Sequence, residues 1–331
     1  MRAVQASEFG GPEVLAVREL PEPTAGPGEV VVDVAAADVM FLDTRLRSGW
    51  GTDFFAIELP YVPGGAIAGV VASVGPGVDP SWVGKRVSTP TAASGIGGGL
   101  PIGGYAEKAL AKADTLVTSP EGLTPAQAVA LTHDGRTALA VFDRAAVQPG
   151  EWVLITAAAG GLGVLLIQLA RAAGANVVAA ARGATKLELA ARLGATAVVD
   201  YSAPDWAAEA RAATGGAGAH VVLDGAGGAL GEAALSVVAD GGRFLGYGAA
   251  AGEFATLDRD DAAARGVTVY GLFDITGSDV DWQALARRAQ DEVAAGRLEV
   301  VIGQTFPLDE AHRAHAAIES RAAVGRTLLT V

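Results

Sequence analysis

Gly160 and Gly163 occupy the last two glycine positions of a G-x-G-x-x-G pattern, with Ala158 where the first glycine would stand. Gly161 and Leu162 fill the positions between them. On the N-terminal side, Val153, Leu154 and Ile155 form a short apolar run suited to a strand buried on both faces. On the C-terminal side, Val164 to Ala170 is built of good helix formers with no breaker. A strand, a tight turn and a helix in this order bring backbone N–H groups to a helix N-terminus. There the helix dipole favours an anion such as a pyrophosphate. A glycine-rich turn that binds nothing could carry the same residues, so the surroundings must decide.

In folds that bind NAD, an acid at the end of the second strand hydrogen-bonds the ribose 2′-hydroxyl. Here that position is Ala181. Arg182 follows at once, and Lys186 lies one helical turn further, on the same face if the helix has begun by Arg182. Two cations beside a missing acid favour a 2′-phosphate, and so NADP(H). The bland alternative is that both are ordinary surface charges.

The elements that would position these groups are legible. From about residue 124, where Thr124-Pro125 opens a helix, strands and helices alternate. Strands are expected over 151–157, 175–181, 197–199, 220–224, 243–247 and 267–270, with helices over 162–173 and 184–193 among them. This spacing implies βαβ units and a parallel sheet, with the glycine turn on its first βα junction. Gly246, in the fifth strand, joins the expected cofactor site. Residues 1 to about 120 read as β structure, with strand-like runs at 30–34 and 69–74 punctuated by Pro and Gly. Residues 91–104 form a glycine-rich loop, either a linker or a flap over a cleft. After about 275 come a helix over 281–295, a short strand at 305–306, a helix over 309–319 and a strand over 327–330.

Composition narrows the function classes. The chain has 331 residues, half of them hydrophobic, and 18% charged, which suits two folded domains. Its net charge of −13 and lack of a Lys/Arg run argue against a nucleic-acid partner. There is no cysteine, which excludes disulfides, thiolate catalysis and cysteine-bound zinc and fits a reducing cytoplasm. The N-terminal stretch lacks the apolar core of a signal peptide, and the apolar run 153–170 is split by glycines, so no membrane span is expected.

The order and spacing of many short segments go further. These include Phe9-Gly-Gly-Pro-Glu-Val-Leu15, Asp43-Thr-Arg-Leu-Arg-Ser-Gly49, Val62-Pro-Gly64, Val83-Gly-Lys-Arg-Val87 and Gly104-Tyr-Ala-Glu107. They continue through Ala157-Ala-Ala-Gly-Gly-Leu-Gly163, Asp200-Tyr201 and Glu319-Ser-Arg321 to Gly325-Arg-Thr-Leu-Leu329. The chain resembles the medium-chain dehydrogenase/reductase superfamily, in its zinc-independent quinone oxidoreductase (zeta-crystallin-like) branch. The resemblance implies an α/β fold: a GroES-like β domain (1–123 and 275–331) with an inserted, doubly wound Rossmann domain (124–274). It implies 2′-phosphate contacts from Lys186, Tyr201 and Arg321. Without it, Tyr201 reads as a packing aromatic. It also implies a homodimer.

Where zinc members of the superfamily carry three ligands, the resemblance places Met40, the Gly64-Gly65-Ala66 segment and His133. One imidazole cannot hold a catalytic zinc, which needs three protein ligands. Hydride transfer without metal is therefore expected. The acceptor would be a quinone or an α,β-unsaturated carbonyl. The alternatives are an NADPH-binding structural or regulatory protein with little turnover, and an enoyl reductase that tailors a polyketide or lipid. Met40, Trp50, Phe54 and His133 are the expected pocket residues. Trp50, Phe54, Phe55 and Tyr61 form either an aromatic wall or part of the core. His133, beside Asp134, is either a proton donor or a hydrogen-bonded helix-end histidine. His220, His312 and His315 read as structural or surface residues.

Overall fold

The computed structural model describes residues 1–53, 55–91, 102–277 and 279–331. Phe54 and most of the glycine-rich loop expected over 91–104 lie outside the described residues. In chain order the first elements are β1 (Arg2–Ala6), β2 (Leu15–Glu19), β3 (Glu29–Val39), α1 (Phe41–Arg47), β4 (Ala66–Val74), β5 (Arg86–Pro90), β6 (Lys108–Lys112) and β7 (Val117–Thr118). Next come α2 (Pro125–Ala145), β8 (Trp152–Thr156), α3 (Gly161–Ala172), β9 (Asn176–Ala181), α4 (Ala184–Arg192), β10 (Ala197–Asp200) and α5 (Trp206–Ala213). Then follow β11 (Ala219–Asp224), α6 (Gly228–Leu235), β12 (Val238–Gly246), α7 (Arg259–Ala264), β13 (Thr268–Tyr270) and α8 (Leu272–Ile275). The chain closes with α9 (Trp282–Ala294), β14 (Ile302–Pro307), α10 (Ala311–Glu319) and β15 (Arg326–Thr330).

Two compact units result, residues 1–134 with 286–331, and residues 135–285. Sequence reading put the divisions at 123/124 and 274/275, where the texture changes. The structure puts them inside α2 and α9, because single helices run through both boundaries. Thr124 caps α2 as expected: its hydroxyl accepts from Gln127 N–H, and the Gln127 side chain accepts from Thr124 N–H.

In the first unit, the valine-rich β3 is the hub of a seven-strand sheet. It pairs antiparallel with β4, β6 and β15. Its inward side chains Val30, Val32, Val34 and Ala37 join Val4, Ile67, Tyr61, Tyr105 and Leu329 in one core. The second unit has six strands in the order β10-β9-β8-β11-β12-β13, each pairing parallel with its neighbour. This is the doubly wound arrangement, in which the strand order reverses between β8 and β11 and ligands bind beyond the carboxyl ends there. Val153, Leu154 and Ile155 are fully buried, as strands covered on both faces require.

Candidate functional site

The turn after β8 begins with Ala157 in the left-handed region, φ 49°. Gly160 N–H donates to the Ala157 carbonyl at 3.0 Å, which closes the turn and starts α3 at Gly161. A Cβ on Gly163 would come within 2.6 Å of the Ala157 and Ala158 carbonyl oxygens, so only glycine lets the helix pack this close to the turn. Ala158 is fully buried, and its N–H donates to Ala180 on the neighbouring strand. The first N–H groups of α3, on Gly161, Leu162 and Gly163, have no acceptor within the helix. Gly246 ends β12 directly across from Asp224 at the end of β11.

At the end of the second strand the helix begins where the sequence places it. Gly183, with φ 81°, caps α4, so the helix begins at Ala184. Arg182 therefore lies before the helix, is exposed, and does not share a helix face with Lys186. Asp200, at the end of β10, is in register with Ala181 and accepts from Gly183 N–H at 3.1 Å. The Ser202 hydroxyl and N–H, together with the Arg182 charge, hold the Asp200 carboxyl below its ordinary range. Tyr201 packs edge-on against Trp206, with ring centroids 6.3 Å apart.

Sequence reading did not single out the buried pair at the strand reversal. Thr156 Oγ1 donates to Asp224 Oδ1 at 2.5 Å and accepts from the N–H groups of Gly225 and Ala226. Asp224 also accepts from Ala226 and Gly227, which ties the ends of β8 and β11 together. Burial raises its carboxyl above the ordinary range despite these donors. Its one sequence signal was an acid ending an apolar strand.

The first unit holds a second polar cluster. Arg326 grips Asp38 through Nε at 2.6 Å and through Nη2, and reaches Asp134 Oδ2 through Nη1 at 3.0 Å. His133 Nδ1 lies 3.7 Å from Asp38 Oδ2. Burial alone would raise Asp38, but Arg326 and His133 bring it below its ordinary range. Asp134 shares the same guanidinium through one nitrogen only, and burial pushes it up to about 6. His133 is not at a helix end: α2 runs on to Ala145. Met40 is buried and caps α1, its N–H donating to Asp43 Oδ2 at 2.8 Å. Burial pushes Asp43 up to about 7, even though it also accepts from the Tyr105 hydroxyl at 3.3 Å. That hydroxyl lies 3.1 Å from His315 Nε2, and burial pulls His315 down to about 3.

The open question about the aromatics is resolved in part. Tyr61 belongs to the core, whereas Trp50 is 42% exposed with the Arg45 guanidinium 5.2 Å from its ring centre. Phe55 is half-buried. His220 Nδ1 accepts from Trp152 N–H, a structural role. Arg321 follows α10 with φ 58° and is exposed.

The positions that the resemblance sets against the zinc ligands carry few donors. Met40 offers a thioether, Gly65 and Ala66 offer no side-chain donor, and the His133 imidazole faces Asp38. Among the described residues no group of three His, Cys, Asp or Glu side chains is arranged to hold a metal ion. Nor, among them, is any helix long and apolar enough to cross a membrane.

Comparison with known proteins gives a consistent picture. Residues 26–121 match the alcohol dehydrogenase GroES-like domain, and residues 161–291 match the zinc-binding dehydrogenase family. The chain is 32% identical to a quinone oxidoreductase of Sus scrofa over 99% of this chain and 97% of that one. It is also 32% identical to a 2-haloacrylate reductase of a Burkholderia species, covering 97% and 96%. A solved mycobacterial protein complexed with NADPH superposes with a TM-score of 0.87 at 32% identity, over the full length of both chains. The quinone oxidoreductase of Pseudomonas syringae pv. Tomato DC3000 gives 0.87 at 32%, covering 100% and 99%. The chain belongs to the medium-chain dehydrogenase/reductase superfamily and is an oxidoreductase of its quinone-oxidoreductase type.

Proposed function

We propose that the chain is an NADPH-dependent reductase that delivers hydride, without a metal, to a quinone or an α,β-unsaturated carbonyl. The observation that carries this reading is the turn after β8, where Gly163 alone lets α3 present its free N–H groups beyond the strand reversal. The names of the relatives support it: one reduces a quinone, another a haloacrylate, and a structural neighbour holds NADPH.

When bound, the nicotinamide supplies the hydride and leaves oxidised. The N–H groups of Gly161, Leu162 and Gly163 hold the pyrophosphate, with Ala158 and Gly160 shaping the turn and Gly246 bordering the site. Arg182, Lys186, Tyr201 and Arg321 receive the 2′-phosphate, where Ala181 replaces the acid that would repel it. Met40 and Trp50 give the acceptor an apolar surface. His133, oriented by Asp38, or a water passes the proton. Positioning and exclusion of water carry most of the rate. Two copies pair through the exposed edge of β13, beside Phe273, which is 84% exposed.

The test is NADPH oxidation with a quinone and with a small enone. Turnover of at least one is expected. Tight NADPH binding with no turnover across a panel of both classes would contradict a reductase and favour a structural or regulatory NADPH-binding protein.

A further inference from the structure

The acid that is missing from the end of β9 has a counterpart one strand away. Asp200 ends β10 in register with Ala181, and Tyr201 N–H donates to the Ala181 carbonyl at 3.2 Å, so the pairing runs to the last residue of both strands. Paired residues on neighbouring parallel strands point to one face, with the strands about 4.8 Å apart. The Asp200 carboxylate reaches the turn between β9 and α4, where its Oδ2 accepts from Gly183 N–H at 3.1 Å. Its Oδ1 accepts from the Ser202 N–H at 2.9 Å and from the Ser202 hydroxyl at 2.6 Å. Held by these donors and by the Arg182 charge, the carboxyl lies below its ordinary range and is ionised at neutral pH.

Two cations flank the same turn: Arg182 precedes Gly183, and Lys186 lies in the first turn of α4. A site that took NADP(H) through cations alone would gain nothing from an anion there, because a carboxylate repels a 2′-phosphate. Gly183 is half-buried, so water can satisfy its N–H, and closing the turn does not by itself call for a charge. A carboxylate offers about four lone-pair positions, and the three donors on Asp200 leave room for a further one. In folds that bind NAD, the acid at this end of the sheet accepts from the ribose 2′-hydroxyl.

We propose that Asp200 sets the cofactor discrimination of this chain: its carboxylate accepts from the 2′-hydroxyl of NADH and repels the 2′-phosphate of NADPH, which holds the NADPH preference below what Arg182 and Lys186 alone would give. This rests on placing the 2′-phosphate at the turn between β9 and α4, and it names the residue that opposes it; it adds no chemical step.

The experiment measures Kd for NADPH and for NADH by fluorescence titration on the wild type, D200N, S202A and R182A, at low and at high salt. D200N is expected to tighten NADPH about tenfold and to leave NADH no tighter than before. The gain should shrink at high salt, because charges near a surface are screened. S202A keeps the charge and loses one donor, so its ratio of NADPH to NADH affinity should match that of the wild type. Unchanged or weaker NADPH binding in D200N, an equal gain for both cofactors, or the same change of ratio in S202A would overturn the proposal. R182A separates the two readings. If R182A weakens NADPH binding and D200N does not tighten it, only the role of Asp200 fails. If R182A leaves NADPH binding unchanged, the 2′-phosphate lies elsewhere and both readings fail.

Discussion

Asp38 and Asp134 reach one guanidinium, yet their carboxyls move in opposite directions. Asp38 receives two donors and stays ionised, while Asp134 receives one and burial pushes it up to about 6. Arg326→Met would leave both carboxylates buried without a cation. The expected loss of stability is about 3–5 kcal/mol, read by denaturant unfolding. A loss near zero would mean that the pair is solvated. Asp43 gives a pH signature. Its folded pKa, about 7, lies above the ordinary 3.8, so the folded state holds its proton more tightly than the unfolded chain does. That contribution is present in full below about pH 4 and is lost as pH rises through 7. Asp43→Asn keeps an oxygen for Met40 N–H and removes the titration. The Tm of D43N relative to wild type should therefore rise between pH 5 and pH 8. A constant difference across that range would place the Asp43 proton elsewhere. Of these residues only Asp134, beside His133, was singled out from the sequence: Asp38, Asp134 and Arg326 are far apart in the chain, and no local pattern links them.

At the scale of elements, the sequence was most legible where physics is local. Parallel strands covered on both faces must be apolar without interruption, so β8, β9 and β11 appeared as runs. The cap of α2 was readable from Thr124-Pro125. So was the start of α4 at residue 184, which Gly183 caps with a positive φ. The end of α10 breaks a local rule at Arg321. It holds φ 58° where glycine is usual after a helix, at a cost of about 1 kcal/mol. Arg321→Gly should raise stability slightly while weakening NADPH binding about tenfold, measured by titration. Unchanged affinity would remove Arg321 from the 2′-phosphate site.

For the molecule as a whole, the alternation of strands and helices after residue 124 showed the doubly wound sheet, and the β-rich opening showed the other unit. The unit boundaries were less legible, because α2 and α9 are continuous through them and composition does not change at Asp134 or Leu285. The central proposal is that the turn after β8 holds the phosphates of NADPH and that hydride transfer needs no zinc. The most direct measurement is the steady-state rate with NADPH and with NADH, using one quinone acceptor, on protein dialysed against a strong chelator. NADPH should be preferred by at least about tenfold in kcat/KM, with full activity after chelation. Equal rates with NADH, or activity that vanishes with the chelator and returns with zinc, would contradict it.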